Sequence, residues 1–384
     1  MLKILTIIGA RPQIIKAAAI SRAIKNHYQH QIEEIIVHTG QHYDENMSRV
    51  FFTELEVPRE KYNLHIGSGS HADQTARMMI EINKVVEKEK PTVLLLYGDT
   101  NSTLAACLVA IKIHLPVIHV EAGVRSYKKM YPEEVNRLIC DHVSSLLFVP
   151  SDAGMEALKK EGFDTGRISN VSADHPQVYR CGDIMYDNTL YYVNKVETIP
   201  QNIFERLDLP KNNYILATMH RPNNVDEHAA LENILKAFVK IIQTNNTSIV
   251  LPLHPRTRNI IENNDKLKTL MNVTGLYTIP PVSFLDITQL EKNASLIITD
   301  SGGVQKEAYF MKKPCLIMLE ETPWTELVET GTAKLVGSSY DLLCEGARYF
   351  LQNAPDMQFP PLYGDGKAAE FICERIIEHF GSLR

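Results

Sequence analysis

The sequence predicts two Rossmann-like α/β domains, each a doubly wound parallel sheet, facing each other across a cleft. Three observations carry this. Short, almost wholly apolar runs alternate with amphipathic stretches, the pattern of parallel strands covered on both faces. The alternation runs through the first 160 residues, loosens between Gly162 and Pro210, and then resumes. The 384 residues give room for two domains, and 44% of them are hydrophobic, enough for two cores.

Taken in order, Leu2–Ile8 reads as a strand and Pro12–Lys25 as a helix. Glu34–His38 is a second strand, and Ala72–Glu89 a longer helix with Met78, Met79, Ile82, Val85 and Val86 on one side. Thr92–Tyr97, Val117–Val120 and Leu146–Val149 complete the first set of strands. Ser172–Gln177 and Thr198–Gln201, polar and proline-containing, suit an inter-domain connection. Tyr214–Thr218, Ser248–Leu253, Gly275–Ile279, Leu296–Thr299, Cys315–Met318 and Lys334–Val336 form the second set. An amphipathic helix, Lys367–His379, closes the chain after the turn Tyr363-Gly364-Asp365-Gly366.

A net charge of −6 speaks against nucleic-acid binding through bulk charge. The six cysteines include no CxxC pair, which fits free thiols in a reducing compartment rather than a disulfide framework or a zinc site. No apolar run nears the roughly 20 residues that span a bilayer, and Met1–Leu5 runs directly into a strand without a signal-peptide pattern. A cytoplasmic protein with no membrane partner and no metal is expected.

The chemistry-bearing residues gather at strand exits. Gly9-Ala10-Arg11-Pro12 follows the first strand, with Arg11 either at an anion site or on a capped surface turn. Thr299-Asp300-Ser301-Gly302-Gly303 opens a helix, placing backbone N–H groups and a hydroxyl where a phosphate would bind; Glu307, one turn on, suits a ribose diol. Asp99 and Glu121 leave successive strands, whose exits in one parallel sheet converge on one edge, so the two could face one cleft, while Glu133 opens a helix. Asp99 could instead cap the next helix, and Glu133 and Glu134 could complement a helix dipole. His220-Arg221-Pro222 and His254-Pro255-Arg256-Thr257-Arg258 leave successive strands and point to an anionic ligand, without metal-ligand spacing. Gly67-Ser68-Gly69-Ser70-His71-Ala72 matches G-x-G-x-x-A only by letter, since no apolar strand precedes it.

The ordered set Gly9-Ala10-Arg11-Pro12, Tyr97-Gly98-Asp99-Thr100, His119-Val120-Glu121-Ala122-Gly123, Pro132-Glu133-Glu134-Val135-Asn136-Arg137 and Thr299-Asp300-Ser301-Gly302-Gly303-Val304-Gln305-Lys306-Glu307 resembles the non-hydrolysing UDP-N-acetylglucosamine 2-epimerase family across nearly the whole chain. That resemblance implies a GT-B fold. Residues 1–180 would form the catalytic domain, with the helix 366–384 packing back on it, and 181–365 the UDP-binding domain. It implies Asp99, Glu121, Glu133 and His220 as catalytic residues. It also implies Arg11, Phe284, Ser301, Gly302, Gly303 and Glu307 as UDP-binding residues, and Arg125, Arg137, His254 and Arg256 are expected to join them in binding UDP or substrate. A UDP-sugar substrate, a homodimer and no cofactor are expected.

Several positions depart from the N-acetylglucosamine branch: Gln13 in place of glutamate, Arg221-Pro222 after His220, the segment Leu253–Arg258, and Trp324 in place of a nucleotide-site arginine. These resemble the branch acting on UDP-2,3-diacetamido-2,3-dideoxy-D-glucuronate, which serves surface polysaccharides. Gln41 and His42 resemble only part of the other branch's allosteric site. A GT-B glycosyltransferase, a hydrolysing epimerase and a non-catalytic UDP-sugar-binding regulator are the competing readings. The set of Asp99, Glu121, Glu133 and His220 speaks for an epimerase.

Overall fold

The computed structural model describes residues 1–41, 52–166, 170–198 and 202–382. The chain divides into two compact units, Met1–Asn188 with Pro361–Arg384, and Thr189–Pro360.

The first unit is built on seven strands: β1 (Leu2–Ile8), β2 (Ile32–His38), β3 (Tyr62–Asn63), β4 (Val93–Tyr97), β5 (Val117–Val120), β6 (Leu146–Val149) and β7 (Gln177–Arg180). Their order is β3-β2-β1-β4-β5-β6-β7, and every neighbouring pair is parallel. The central strands are buried on both faces; Ile4, Leu5, Leu94, Leu95, Leu146 and Leu147 are all wholly inaccessible. This is why they read as continuous apolar runs. The strand order reverses between β1 and β4, so their C-terminal ends splay to leave a crevice, the usual ligand position in an open α/β sheet.

The second unit repeats the plan with β8 (Tyr214–Thr218), β9 (Ser248–Pro252), β10 (Leu276–Ile279), β11 (Leu296–Thr299), β12 (Cys315–Ile317) and β13 (Ala333–Leu335), in the order β10-β9-β8-β11-β12-β13. All its pairings are parallel too, and its switch point lies between β8 and β11. The doubly wound parallel class expected from sequence is therefore observed in both units.

Two strands escaped the sequence pattern. β3 is two residues long, too short for a periodicity. β7 begins at Gln177, in a stretch that reads as connection, because it is an edge strand whose second half is only partly covered. Tyr179 there stacks on Phe148 at 5.7 Å and meets His379 at 2.7 Å through its hydroxyl. His379 lies in the C-terminal helix Ala368–Phe380, which packs on the helix Arg11–Ala23 within the first unit. Part of the polar stretch at 198–201 lies outside the described residues, as does His42. Among the described residues, no helix is long and apolar enough to cross a membrane.

Candidate active site

The first unit gathers its charged side chains at the β1/β4 switch point and the neighbouring β5 exit. Asp99 follows β4. Thr100, not Asp99, caps the helix Asn101–Lys112, accepting from Thr103 N. That leaves the Asp99 carboxylate to pair with Arg137, while Asn136 Nδ2 donates to the Asp99 carbonyl at 2.8 Å. Glu121 follows β5 with a φ of +72°, a left-handed conformation unusual outside glycine. This backbone turns its carboxylate toward Gly98 and onto the ammonium of Lys16, both side chains nearly buried. A Cβ on Gly98 would stand 3.2 Å from Lys16 Nζ and 3.3 Å from Glu121 Oε1, so glycine is what admits the pair beside Asp99. Burial of Arg137 would lower its proton affinity, but the charges of Asp99 and Glu121 outweigh this and raise it. Asp99, Glu121, Lys16 and Arg137 thus form one cluster of alternating charge.

Glu133 lies exposed in the first turn of the helix Pro132–Val143, the helix that carries Arg137 one turn later. Its neighbour Glu134 is buried and accepts from Ser126 N, Ser126 Oγ and Tyr127 N at 2.8–3.0 Å. Burial alone would raise the Glu134 carboxyl; these donors and Arg137 hold it below the usual range. Glu134 therefore shapes the loop that presents Lys128 and Lys129, both exposed. Arg11 is exposed at the start of the helix Arg11–Ala23, directly after β1.

Arg125 is placed differently from its expected ligand role. Its side chain is 1% exposed, forked on Glu161 at 2.7 and 2.8 Å, paired with Asp141 at 2.7 Å and bonded to the Val124 carbonyl. Its donors are spent on the protein interior. Gln13, read as a branch marker, is a buried tie. Its oxygen accepts from Gly9 N and Ala10 N, and its amide donates to Tyr97 O and Thr103 Oγ1. A glutamate could not supply the last two bonds. Gln41 likewise turns inward, accepting from Ser102 N and Oγ.

In the second unit the site residues flank the β8/β11 switch point. Ser301 sits at the N-cap of the helix Gly302–Phe310 but makes no side-chain cap bond, so its hydroxyl stays available beside the first-turn N–H groups of Gly302 and Gly303. His220, at the β8 exit, is 59% exposed and held through Nδ1 by Asp300 Oδ1 at 2.9 Å, which aims Nε2 outward. Asp300 also accepts from His220 N, Arg221 N and Asn224 Nδ2. Burial pushes the Asp300 carboxyl up, yet its bonds from His220, Asn224 and Arg221 win and hold it low. Glu307 is half-buried one turn beyond Gly303, on the same helix, and its charge acts on the buried Glu291.

At the β9 exit and at Phe284 the contacts within the protein are local. His254 caps the helix Pro255–Glu262, accepting from Arg256 N at 3.3 Å, and Arg256 pairs with Asp226 at 2.6 Å on the surface. Phe284 is buried at the start of the helix Phe284–Asn293, edge-on to Tyr192 at 5.0 Å.

Sequence reasoning missed Lys16, Asp300 as a hub, and the pair Lys306–Trp324. A buried lysine inside an alanine-rich helix carries no pattern of its own. Lys306, 3% exposed, lies 4.1 Å over the Trp324 ring, whose Nε1 donates to Gly302 O at 3.1 Å. The single tryptophan therefore braces the glycine turn itself. Among the described residues, no group of His, Cys, Asp and Glu could hold a metal ion.

The family described as UDP-N-acetylglucosamine 2-epimerase matches residues 23–377. A UDP-2,3-diacetamido-2,3-dideoxy-D-glucuronate 2-epimerase of Pseudomonas aeruginosa is 45% identical over 97% of this chain and 99% of its own. A UDP-N-acetylglucosamine 2-epimerase homolog of Methanococcus maripaludis is 43% identical over 97% of this chain and 99% of its own. The solved structure of Methanocaldococcus jannaschii UDP-GlcNAc 2-epimerase in complex with UDP-GlcNAc and UDP superposes with a TM-score of 0.84 at 38% identity. It covers 98% of this chain and 100% of that one. With this GT-B-like likeness, the doubly wound units and the full-length matches, the chain belongs to the UDP-N-acetylglucosamine 2-epimerase family of isomerases.

Proposed function

We propose that the chain is a non-hydrolysing epimerase that inverts C2 of UDP-2,3-diacetamido-2,3-dideoxy-D-glucuronate, giving its manno epimer. The observation that carries the reaction class is the cluster of Asp99 and Glu121 with Lys16 and Arg137 at a topological switch point. The C2 proton is not acidic on its own, because no carbonyl adjoins C2. It becomes removable when the C1–O bond to UDP breaks as the proton leaves. A carboxylate takes the proton, UDP departs with the C1–O electron pair, and a C1=C2 glycal remains. UDP oxygen then re-adds to C1 while a carboxylic acid protonates C2 from the opposite face. Asp99, Glu121 and Glu133 supply the acid and base. Lys16 and Arg137 offset the charge of carboxylates held close together. Arg11, His220, Ser301 and the N–H groups at Gly302 and Gly303 hold the diphosphate, and Glu307 the ribose. Arg125, whose donors are used internally, has no ligand role in this scheme.

The finer choice of sugar rests on the 45% identity to the Pseudomonas aeruginosa enzyme and on cationic groups suited to a C6 carboxylate. Lys128 and Lys129 lie exposed on the Glu134-held loop, and Arg258 follows β9 in the second unit. The second reading, UDP-N-acetylglucosamine 2-epimerase activity, is favoured by the Methanocaldococcus jannaschii enzyme of that name at 40% identity. Specificity constants for the two nucleotide sugars, with products identified by NMR, separate them. A site that pairs the carboxylate should favour the glucuronate by about a hundredfold or more, since its own charges go unpaired with the neutral sugar. Comparable constants, or a preference for UDP-N-acetylglucosamine, would select the second reading. A homodimeric cytoplasmic enzyme serving surface polysaccharide synthesis completes the proposal.

A further inference from the structure

Beside the carboxylates of the first unit lies a second polar chain, buried at its centre. His119 on β5 is inaccessible to solvent. Its Nδ1 meets Asp141 Oδ1 at 2.6 Å and its Nε2 meets the Gly98 carbonyl at 2.8 Å. Asp141, also inaccessible, reaches across from the helix Pro132–Val143. Its other oxygen accepts from Gly123 N at 3.1 Å and from Arg125 at 2.7 Å. Arg125 is anchored in turn on Glu161. Burial pushes the Asp141 carboxyl up, but His119, Arg125 and Gly123 N outweigh it and hold it low. A carbonyl stands on one side of the His119 ring and a carboxylate on the other, so each ring nitrogen faces an acceptor.

These bonds end on two particular backbone segments. Gly98 directly precedes Asp99, and Gly123 lies two residues after Glu121, whose left-handed turn is fixed on its other side by Glu121 N and Ala122 N donating to Phe148 O. One imidazole and one carboxylate therefore tie together the two strand exits that carry the candidate acid and base. We infer that His119 and Asp141 are positioning residues for the epimerisation, setting the spacing of Asp99 from Glu121 through Gly98 and Gly123. The inference rests on the assignment of those two carboxylates as reacting groups. A buried, doubly satisfied histidine is a rigid spacer, and displacement of a reacting group by about 1 Å costs on the order of a hundredfold in rate.

The test uses His119→Asn, His119→Gln and Asp141→Asn in the full chain. Asparagine keeps a donor near Nδ1 but cannot reach Gly98 O; glutamine reaches Gly98 O but gives up the donor to Asp141, so each breaks the tie at one end. Both His119→Asn and His119→Gln are expected to lower kcat about 10- to 100-fold with KM and UDP affinity within about threefold. Asp141→Asn, which sets an amide donor against Gly123 N or His119, should reproduce the kcat loss at unchanged UDP affinity, and it carries the test should His119→Asn fail to fold. Unchanged kcat in the folded variants, or losses that raise KM and weaken UDP as much as they lower kcat and follow the melting temperatures, would overturn the inference. Wild-type protein that fails to exchange solvent deuterium into C2 would overturn the carboxylate assignment and this inference with it. Wild-type exchange beside unaffected variants would overturn the inference alone.

Discussion

Asp300→Asn is the substitution whose consequence is most fully set by the geometry. The carboxylate is inaccessible to solvent and collects four donors: His220 N, His220 Nδ1, Arg221 N and Asn224 Nδ2. An amide offers one oxygen. Arg221 N and Asn224 Nδ2 both lie on Oδ2, so the oxygen stays there and the NH2 faces His220 Nδ1. The 2.9 Å charge-assisted bond is lost, and the imidazole is pushed to the opposite tautomer without its counter-charge. A hydrogen bond to a charged group contributes about 1.5–3 kcal/mol. If most of that orients His220 toward a diphosphate, the UDP dissociation constant rises about 10- to 100-fold. Isothermal titration with UDP reads this directly. A melting curve accompanies it, since about 1–3 kcal/mol of lost stability is a drop of a few degrees to about ten in a unit of this size. UDP affinity within twofold of wild type, in a folded variant, would refute the idea that Asp300 builds the anion site.

Glu121→Gln should lower turnover by about 10² or more while leaving UDP affinity nearly intact, and Ser301→Ala should weaken UDP instead; equal loss of UDP binding in both would contradict the division of roles. Trp324, stacked under Lys306 and bonded to Gly302 O, should change its emission on UDP addition, and an invariant spectrum at saturation would remove it from the nucleotide site. Asp187 supplies the pH dependence. Burial pushes its carboxyl up to about 7, against the N–H groups of Ala369 and Ala368, and its Oδ1 has no partner. The folded chain therefore holds this proton more tightly than the unfolded chain does. Stability present below about pH 4 is lost as pH rises toward 7. Asp187→Asn should flatten that fall in melting temperature, and an unchanged slope would exclude Asp187 as its source.

The fold was legible where burial is two-sided. β1, β4, β5, β6, β8 and β11 are covered on both faces, so their sequences show it; β3 is two residues long, and β7 opens on Gln177 after a polar stretch and is half-covered, so neither shows it, whereas the edges β10 and β13 keep enough apolar residues to be read. In the site, Asp99 and Glu121 were legible because strand exits of a parallel sheet converge. Their counter-charges were not equally so. Arg137 sits in a recognisable motif, whereas Lys16 is one lysine among alanines and isoleucines, and only the Gly98 gap reveals why it is there. Arg125 shows the opposite failure. An arginine beside a strand-exit carboxylate looks like a ligand for substrate, but Asp141 and Glu161, 16 and 36 residues further on, claim it first. Which of two nearby charges a guanidinium meets is decided by tertiary packing, and no local pattern records it.

The central claim is that C2 is inverted by proton removal coupled to loss of UDP. Epimerisation in deuterium oxide, followed by NMR of the C2 position, tests it most directly, with UDP-2,3-diacetamido-2,3-dideoxy-D-glucuronate and UDP-N-acetylglucosamine as substrates and neither an acceptor nor NAD present. The account predicts deuterium at C2 of the epimer formed. Epimer formed with its original hydrogen still at C2 would contradict it.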